Sequence, residues 1–271
     1  CVLRGFSYGE DNVSTLEAFR SMGVGIEDDG AGTLRVQGVG LDGLRAPSKT
    51  IDCGNSGTTM RLLAGLLSAQ HFRSEMVGDA SLSRRPMGRV VQPLRSRGAL
   101  IDGKPHPTKT GDVTAPLVIS GLPEGTRLSA IEYRMSVASA QVKSALLLSG
   151  LTASGPTLVD EPCVSRDHTE RMLTSLGIEL RTVGTVVELQ PAKDPKCLAP
   201  FSVDLPGDLS AAAFMLVAGA IVPGSTVTTR GTGLNPTRSG ILDVLRMFGA
   251  PLSVMPTSIW LLNLGVSAVV W

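Results

Sequence analysis

Four segments of this 271-residue chain carry the residue types from which a binding site is made. The first, Gly54-Asn55-Ser56-Gly57-Thr58-Thr59-Met60-Arg61, lies just ahead of an apolar helix. Glycine admits close backbone approach, and the free N–H groups of a helix start attract anions. Asn55 and Thr58 add side-chain hydrogen bonds, although the segment lacks the Gly-Lys-Ser/Thr ending of a P-loop. The second, Gly78 to Met87, sets Arg84 and Arg85 on a loop at a helix start. A guanidinium fork matches a carboxylate or a phosphate. The third, Tyr133 to Ser144, opens an apolar helix with Ser139, Gln141 and Lys143. Capping accounts for Ser139 but not for Gln141 and Lys143 together. The fourth is Ser165-Arg166-Asp167-His168-Thr169-Glu170. Taken singly, each reads equally as a helix cap or a solvated charged loop. Taken together they predict an anion site, with Arg85, Lys143, Arg166 and His168 converging on it. His71, His106 and His168 have no paired ligand spacing, so no metal set is expected. No Gly-x-Ser-x-Gly elbow supports a serine hydrolase.

The elements that must position these segments follow a repeat. TLEAFRSMG, VVQPLRSRG, TERMLTSLG and ILDVLRMFG each read as an amphipathic helix closed by a glycine: Gly23, Gly98, Gly177 and Gly249. Glycine enters the left-handed cap region without steric cost, so these are helix stops. Ser14 with Glu17, and Asp167 with Glu170, fit the capping-box spacing. Before three of the four stands an all-apolar helix: MRLLAGLLSAQ, KSALLLSGLTASG and AAAFMLVAGAIVPG. Helices apolar all round are predicted to be buried. One unit is then buried helix, strand, polar loop, surface helix, glycine and two strands, and the chain holds about three and a half. The first unit begins at its strand, VLRGFSYGEDN. The repeat puts the second and fourth segments at equivalent positions, hence at one rim. A boundary is predicted near Leu205-Pro206-Gly207. Residues 1–206 then form most of one three-unit domain. Residues 207–271 form one unit of a second domain, with an atypical tail.

Composition agrees with a packed chain. Apolar residues make up 42% and charged residues 18%, which excludes disorder. A net charge of +1 gives no basic field for nucleic acid. The longest apolar runs, such as Ala211 to Val222, are too short to span a bilayer. No charged-then-apolar leader opens the sequence, so a cytoplasmic protein is expected. Cys1, Cys53, Cys163 and Cys197 form no Cys-x-x-Cys pair and are read as incidental thiols.

In this order the motifs resemble the enolpyruvyl transferases. The carrying strings are GEDNVSTLEAFRSMG, DCGNSGTTMRLLAGLL, GDASLSRRPMGRVVQPLRSRGA, YRMSVASAQVKSALLLSGL, SRDHTERML and NPTRSGILDVLRMFGA, spanning about residues 1 to 253. They are most similar to the shikimate branch, and to its bacterial subgroup noted for glyphosate tolerance. Leu62 stands where many plant and enteric members have proline. The resemblance implies an α/β (α+β) fold of repeated βαβαββ units around buried helices, an inverse α/β barrel. It implies transfer of the enolpyruvyl group of phosphoenolpyruvate to the 5-hydroxyl of shikimate 3-phosphate, with release of phosphate, in aromatic amino acid biosynthesis. The family needs no cofactor or metal. It protonates the enol, adds the hydroxyl, and expels phosphate from a tetrahedral intermediate.

Residue by residue, the resemblance assigns Ser139, Gln141, Ser165 and Arg166 to shikimate 3-phosphate. It assigns Gly57, Arg85, Gln141 and Asn55 to phosphoenolpyruvate. Ala140 stands where some members have serine, and His168 where others have tyrosine. The family's first buried helix and most of its second half have no counterpart here, and the tail PTSIWLLNLGVSAVVW is unlike it. No catalytic residue is therefore assigned, and Asp52, Asp79 and Asp167 are read as capping or ion-pair residues. The competing readings are the sister transferase acting on UDP-N-acetylglucosamine, a non-catalytic substrate-binding fragment, and an unstable fragment that self-associates through exposed faces.

Overall fold

The structure is a computed structural model that describes residues 1–193, 198–255 and, as backbone, 267–270. Cys197, Trp260 and Trp271 lie outside the described residues.

The chain opens with β1 (Val2–Arg4), α1 (Glu10–Ser21), β2 (Gly25–Asp28) and β3 (Leu34–Gln37). Next come β4 (Ile51–Asp52), α2 (Gly57–Ser68), β5 (Ser74–Val77), α3 (Gly88–Ser96), β6 (Ile101–Pro105) and β7 (Val113–Ile119). The same sequence of elements repeats as β8 (Ile131–Arg134), α4 (Ala140–Gly150), β9 (Thr157–Asp160), α5 (His168–Ser175), β10 (Leu180–Val183) and β11 (Val186–Leu189). After β12 (Ser202–Asp204) follow α6 (Leu209–Ile221), β13 (Val227–Thr229), α7 (Gly240–Met247), β14 (Leu252–Met255) and β15 (Ser267–Val270).

The sheets make the repeat visible. The second and third have orders β4-β5-β7-β6 and β8-β9-β11-β10, each with its first two strands parallel and the rest antiparallel. The first sheet has the equivalent order β12-β1-β3-β2. Its leading strand comes from residues 202–204, pairing in parallel with β1 as Val2 to Ser202 and Arg4 to Asp204. That strand therefore completes the first unit's sheet. The fourth sheet is β13-β15-β14, with a parallel bridge from Gly207 to Thr232 beside it. This is the α/β architecture of repeated βαβαββ units that the sequence predicts.

The four helix stops are as expected. Gly23, Gly98, Gly177 and Gly249 all have φ between 80° and 101°. The residue after each glycine closes a six-residue turn: Val24 N to Phe19 O, Ala99 N to Leu94 O, Ile178 N to Leu173 O and Ala250 N to Leu245 O. This is the Schellman pattern, which satisfies carbonyls the helix end leaves free. The capping boxes are not formed. Helix α1 begins earlier, at Glu10 with Gly9 as its cap, so Ser14 lies inside it. Asp167 precedes α5 without a capping bond, and its oxygens serve Asn235, Thr237 and Arg171 instead.

Helices α2 and α4 form the centre of the main core, with Met60, Leu63, Leu67, Ala145 and Leu146 almost free of solvent. They touch backbone to backbone. A Cβ added at Gly65 would land on the Ala145 carbonyl oxygen. Gly65→Ala is expected to force the helices apart and cost about 3 kcal/mol, the upper range for overpacking. Urea denaturation of the variant checks this. Arg97, at the end of α3, is also buried and binds the next unit. Its five donors reach Ser129 O twice, Leu146 O, Ser149 Oγ and Thr157 Oγ1 at 2.7–3.2 Å.

Helix α6 departs from expectation. Leu209, Leu216 and Gly219 are buried, but Phe214 is 75% and Ile221 72% exposed. Among the described residues α7 and the fourth sheet are its main neighbours, and they form a small core with Leu242 and Leu245. An apolar helix needs neighbours on every side to be buried, and α6 has them on one side among the described residues.

Candidate functional site

Parallel placement of α2 and α4 brings two helix starts together. Ser56 caps α2, accepting from Thr59 N at 3.1 Å. Ser139 caps α4, accepting from Val142 N at 3.4 Å. Gln141, one residue into α4, bridges to α2: its Nε2 donates to Thr58 Oγ1 at 2.7 Å, and its Oε1 accepts from Arg61 at 2.8 Å. The aligned N–H groups of two helix ends thus face one rim, where helix dipoles favour negative charge.

Three guanidinium groups gather there. A Cβ at Gly57 would sit 2.7 Å from Arg61 Nη1 and 3.2 Å from Arg85 Nη1. The absence of a side chain at Gly57 is therefore what lets both arginines lie over the α2 start. Burial pushes the Arg61 guanidinium down from its usual value, and the nearby charges of Arg89 and Arg85 push the same way. Among the described residues none of these three arginines forms an ion pair. Arg61 holds Gln141 and the Gly57 carbonyl, while Arg85 donates to Asn55 Oδ1.

Asn55 is itself aimed. Its Nδ2 donates to Asp79 Oδ2 at 2.6 Å, which turns its Oδ1 toward Arg85. Asp79 also accepts from Leu82 N at 2.7 Å. The Asn55 bond, then the Leu82 bond, hold the Asp79 carboxyl below the usual range. Asp79 is thus a loop brace, and so is Asp52, which accepts from Gly54 N at 2.8 Å. The sequence predicts a capping or ion-pair role for each, but among the described residues the caps are Ser56 and Ser81 and neither aspartate forms an ion pair.

The structure brings Asn55, Gly57, Arg85 and Gln141 together, with Ser139 at the mouth of the adjacent helix. Ser165 and Arg166 join through another residue. Lys143, one turn into α4, binds Glu161 Oε2 and Glu170 Oε1, both at 2.6 Å. Glu161 in turn accepts from the Ser165 hydroxyl and from Ser165 N. Arg166 stands exposed beside this loop. Lys143 is therefore not one of the converging cations. Its side chain is 1% exposed, and its charge is committed to two buried carboxylates.

His168 stays on the rim, held below its usual value by desolvation. Asp167 opposes this shift, while Arg238, Arg166 and Arg171 add to it. Desolvation raises Asp167, but bonds from Asn235, Arg171 and Thr237 outweigh it and hold the carboxyl low. Asn235 Nδ2 and Thr237 Oγ1 reach Asp167 Oδ1 at 2.7 and 3.0 Å, so the loop before α7 docks on the Ser165 loop. These two loops hold equivalent places in their units.

A cavity of about 480 Å³ lies between α5 and the third sheet. It contains none of the seven residues assigned to the two ligands, and its walls include the Lys143-bound carboxylates, a poor lining for an anion. Among the described residues, no group of three or more His, Cys, Asp or Glu side chains could hold a metal ion. Nor is any helix long and apolar enough to cross a membrane.

Sequence reasoning gave no role to Arg61, Arg89 or Glu161. Arg61 follows Gly57 by four residues, hence on the same helix face, and that spacing was a usable signal. Glu161 carried none, because its partners come from α4 and a loop.

A family model described as EPSP synthase (3-phosphoshikimate 1-carboxyvinyltransferase) matches residues 1–263, past the point where the sequence set the tail apart. The 3-phosphoshikimate 1-carboxyvinyltransferase of Syntrophotalea carbinolica is 52% identical over 254 residues, covering 94% of this chain and 56% of that protein. Its counterpart in Shouchella clausii is 53% identical over 250 residues, covering 92% and 55%. The solved EPSP synthase from Acinetobacter baumannii superposes with a TM-score of 0.85 at 43% identity, covering 99% of this chain and 58% of that one. The chain spans a little over half the length of these relatives.

Proposed function

The chain belongs to the EPSP synthase family, and on that premise we propose that it binds shikimate 3-phosphate and phosphoenolpyruvate for enolpyruvyl transfer. One observation carries the reading: Arg61, Arg85 and Arg89 gather at two adjoining helix starts with only neutral hydrogen-bond partners. An anion bound there offsets the mutual repulsion of the guanidinium charges and completes their hydrogen bonding. In this reading Gly57, Asn55, Arg85 and Gln141 hold phosphoenolpyruvate, and Ser139, Gln141, Ser165 and Arg166 hold shikimate 3-phosphate. Gln141 bridges both helix starts and so lies where the two ligands would meet.

The chemistry asked of the site is electrostatic. Protonation of the enol carbon leaves a cation-like centre; the 5-hydroxyl adds to it and gives up its proton; phosphate then departs as the new methyl group loses a proton, which restores the double bond. Fixed guanidinium groups stabilise the charge on the departing phosphate. They also keep the carboxylate and phosphate of phosphoenolpyruvate in register. Asp52, Asp79 and Asp167 have their oxygens engaged elsewhere, so none of them is proposed as the proton-transfer group. The same premise supports reading residues 1–206 as most of one domain and residues 207–271 as part of a second. It also supports a cytoplasmic setting.

Calorimetric titration tests the binding reading. Saturable heat with shikimate 3-phosphate is expected, and its absence from a folded sample would overturn the reading. Arg85→Ala is expected to weaken phosphoenolpyruvate binding about ten- to a hundredfold, the value of charge-assisted hydrogen bonds. Release of phosphate from the two substrates together separates a transferase from a substrate-binding chain.

A further inference from the structure

We propose that Glu161 is a positioning residue that fixes the Ser165 loop against the start of α4, setting the span of the pocket for the ligand's phosphate. The inference rests on reading Ser139 and Ser165 as contacts to shikimate 3-phosphate.

Glu161 follows β9 directly and is 3% exposed. Its two oxygens take three donors. Oε1 accepts from the Ser165 hydroxyl, and Oε2 accepts from Lys143 Nζ at 2.6 Å and from Ser165 N at 3.3 Å. Lys143 lies one helical turn from Ser139, its N–H donating to Ser139 O at 3.0 Å. An unbroken path therefore runs from Ser139 through Lys143 and Glu161 to Ser165. No hydrogen bond among the described residues joins Ser165 to Ser139 or Gln141 directly.

Holding both the N–H and the O–H of Ser165 fixes its backbone and its side-chain rotamer together. A carboxylate beneath a phosphate pocket repels the ligand unless its charge is offset, and Lys143, which also binds Glu170, supplies that offset. The Ser165 hydroxyl has one hydrogen. When a phosphate oxygen arrives, that hydrogen turns outward, and Glu161 keeps the backbone N–H and Lys143. Glu161 therefore acts through shape, as a multi-donor acceptor between two elements, rather than by charge on the ligand.

The test compares affinities for shikimate 3-phosphate and for shikimate, so that only the phosphate contribution is read. Glu161→Ala leaves Lys143 paired with Glu170 and creates no unpaired buried ion. It is expected to lower the affinity ratio about tenfold, the equivalent of one lost phosphate contact. A general disturbance of the fold would lower both affinities and leave the ratio unchanged. Glu161→Gln is expected to stay within about threefold of the parent. Its amide oxygen can accept from Lys143 and Ser165 N, and its NH2 can donate to Ser165 Oγ. Ser165→Ala separates the two layers of the argument. If it lowers the ratio and Glu161→Ala does not, the positioning role is overturned and the phosphate assignment stands. If Ser165→Ala leaves the ratio unchanged, the assignment fails and the positioning role fails with it. A Gln variant as poor as the Ala variant overturns the claim that shape carries the effect.

Discussion

Lys143→Met is expected to destabilise the protein by about 3–5 kcal/mol near pH 7.5, the range for breaking a buried ion pair from one side. Lys143 is the one cation between Glu161 and Glu170, and all three are nearly free of solvent. Methionine fills similar volume, so packing changes little and the stranded carboxylates dominate. Burial already raises the Glu170 carboxyl above its usual value, with Lys143 pulling it back. One of its oxygens, Oε2, has no hydrogen-bond partner.

The pH dependence follows in sign. Above the unfolded carboxyl value of 4.5, the unfolded chain gives up a proton that native Glu170 retains, so stability falls as pH rises through that window. Without Lys143 the native carboxyl climbs further, the window widens, and the deficit grows. The gap between variant and parent melting temperatures should be small near pH 4.5 and largest near pH 8. Adding Glu170→Gln to Lys143→Met should recover part of the loss, and a double-mutant cycle reads the coupling. A deficit independent of pH would show that packing, not charge, is responsible.

Arg97→Ala is the second large effect, expected at about 3–5 kcal/mol, with the fold otherwise retained. Burial pushes its guanidinium down to about 10, so it remains charged at neutral pH without a carboxylate partner. The shift itself represents a penalty of about 3 kcal/mol for holding the charge. Five hydrogen bonds from a charged donor, each worth about 1.5–3 kcal/mol, outweigh that penalty. Alanine leaves the Ser129 carbonyl, Ser149 and Thr157 short of partners and opens a cavity beside α4. Lysine offers three donors without the planar fork and should restore only part of the loss. Chemical denaturation of the three proteins checks the order.

These residues also mark where the sequence was legible. Helix stops at Gly23, Gly98, Gly177 and Gly249 were readable because a Schellman cap is local, made within six residues. Gly57 and Gln141 come together because repeated units place equivalent helix starts alike, and in the sequence it is the family resemblance that assigns both to one ligand. Lys143 was misread. Polar residues opening an apolar helix suggest a cleft, but its partners lie 18 and 27 residues onward, on an element the local pattern does not reveal. Arg97 ends the string VVQPLRSRG, and nothing local in it marks the partners on α4 and β9 that enclose its side chain. Helix α6 is more apolar than α2 and α4, yet exposes Phe214 and Ile221, because burial belongs to the neighbours and not to the helix.

The pairing of β12 with β1 has a consequence for how the chain assembles. The second and third sheets draw all their strands from continuous stretches, so their contacts are comparatively local. The first sheet needs residues 2–4 to meet residues 202–204, the longest-range strand pairing in the molecule among the described residues. Loop-closure entropy rises only slowly with separation, so the pairing costs little more than a shorter one in stability. It weighs on rate instead, because non-local contacts form late. During synthesis some two hundred residues separate β1 from the strand that pairs with it in this sheet, so the pairing forms only after the second and third sheets have been made. A strand edge that must wait for a distant partner is the feature most prone to mispairing with another chain.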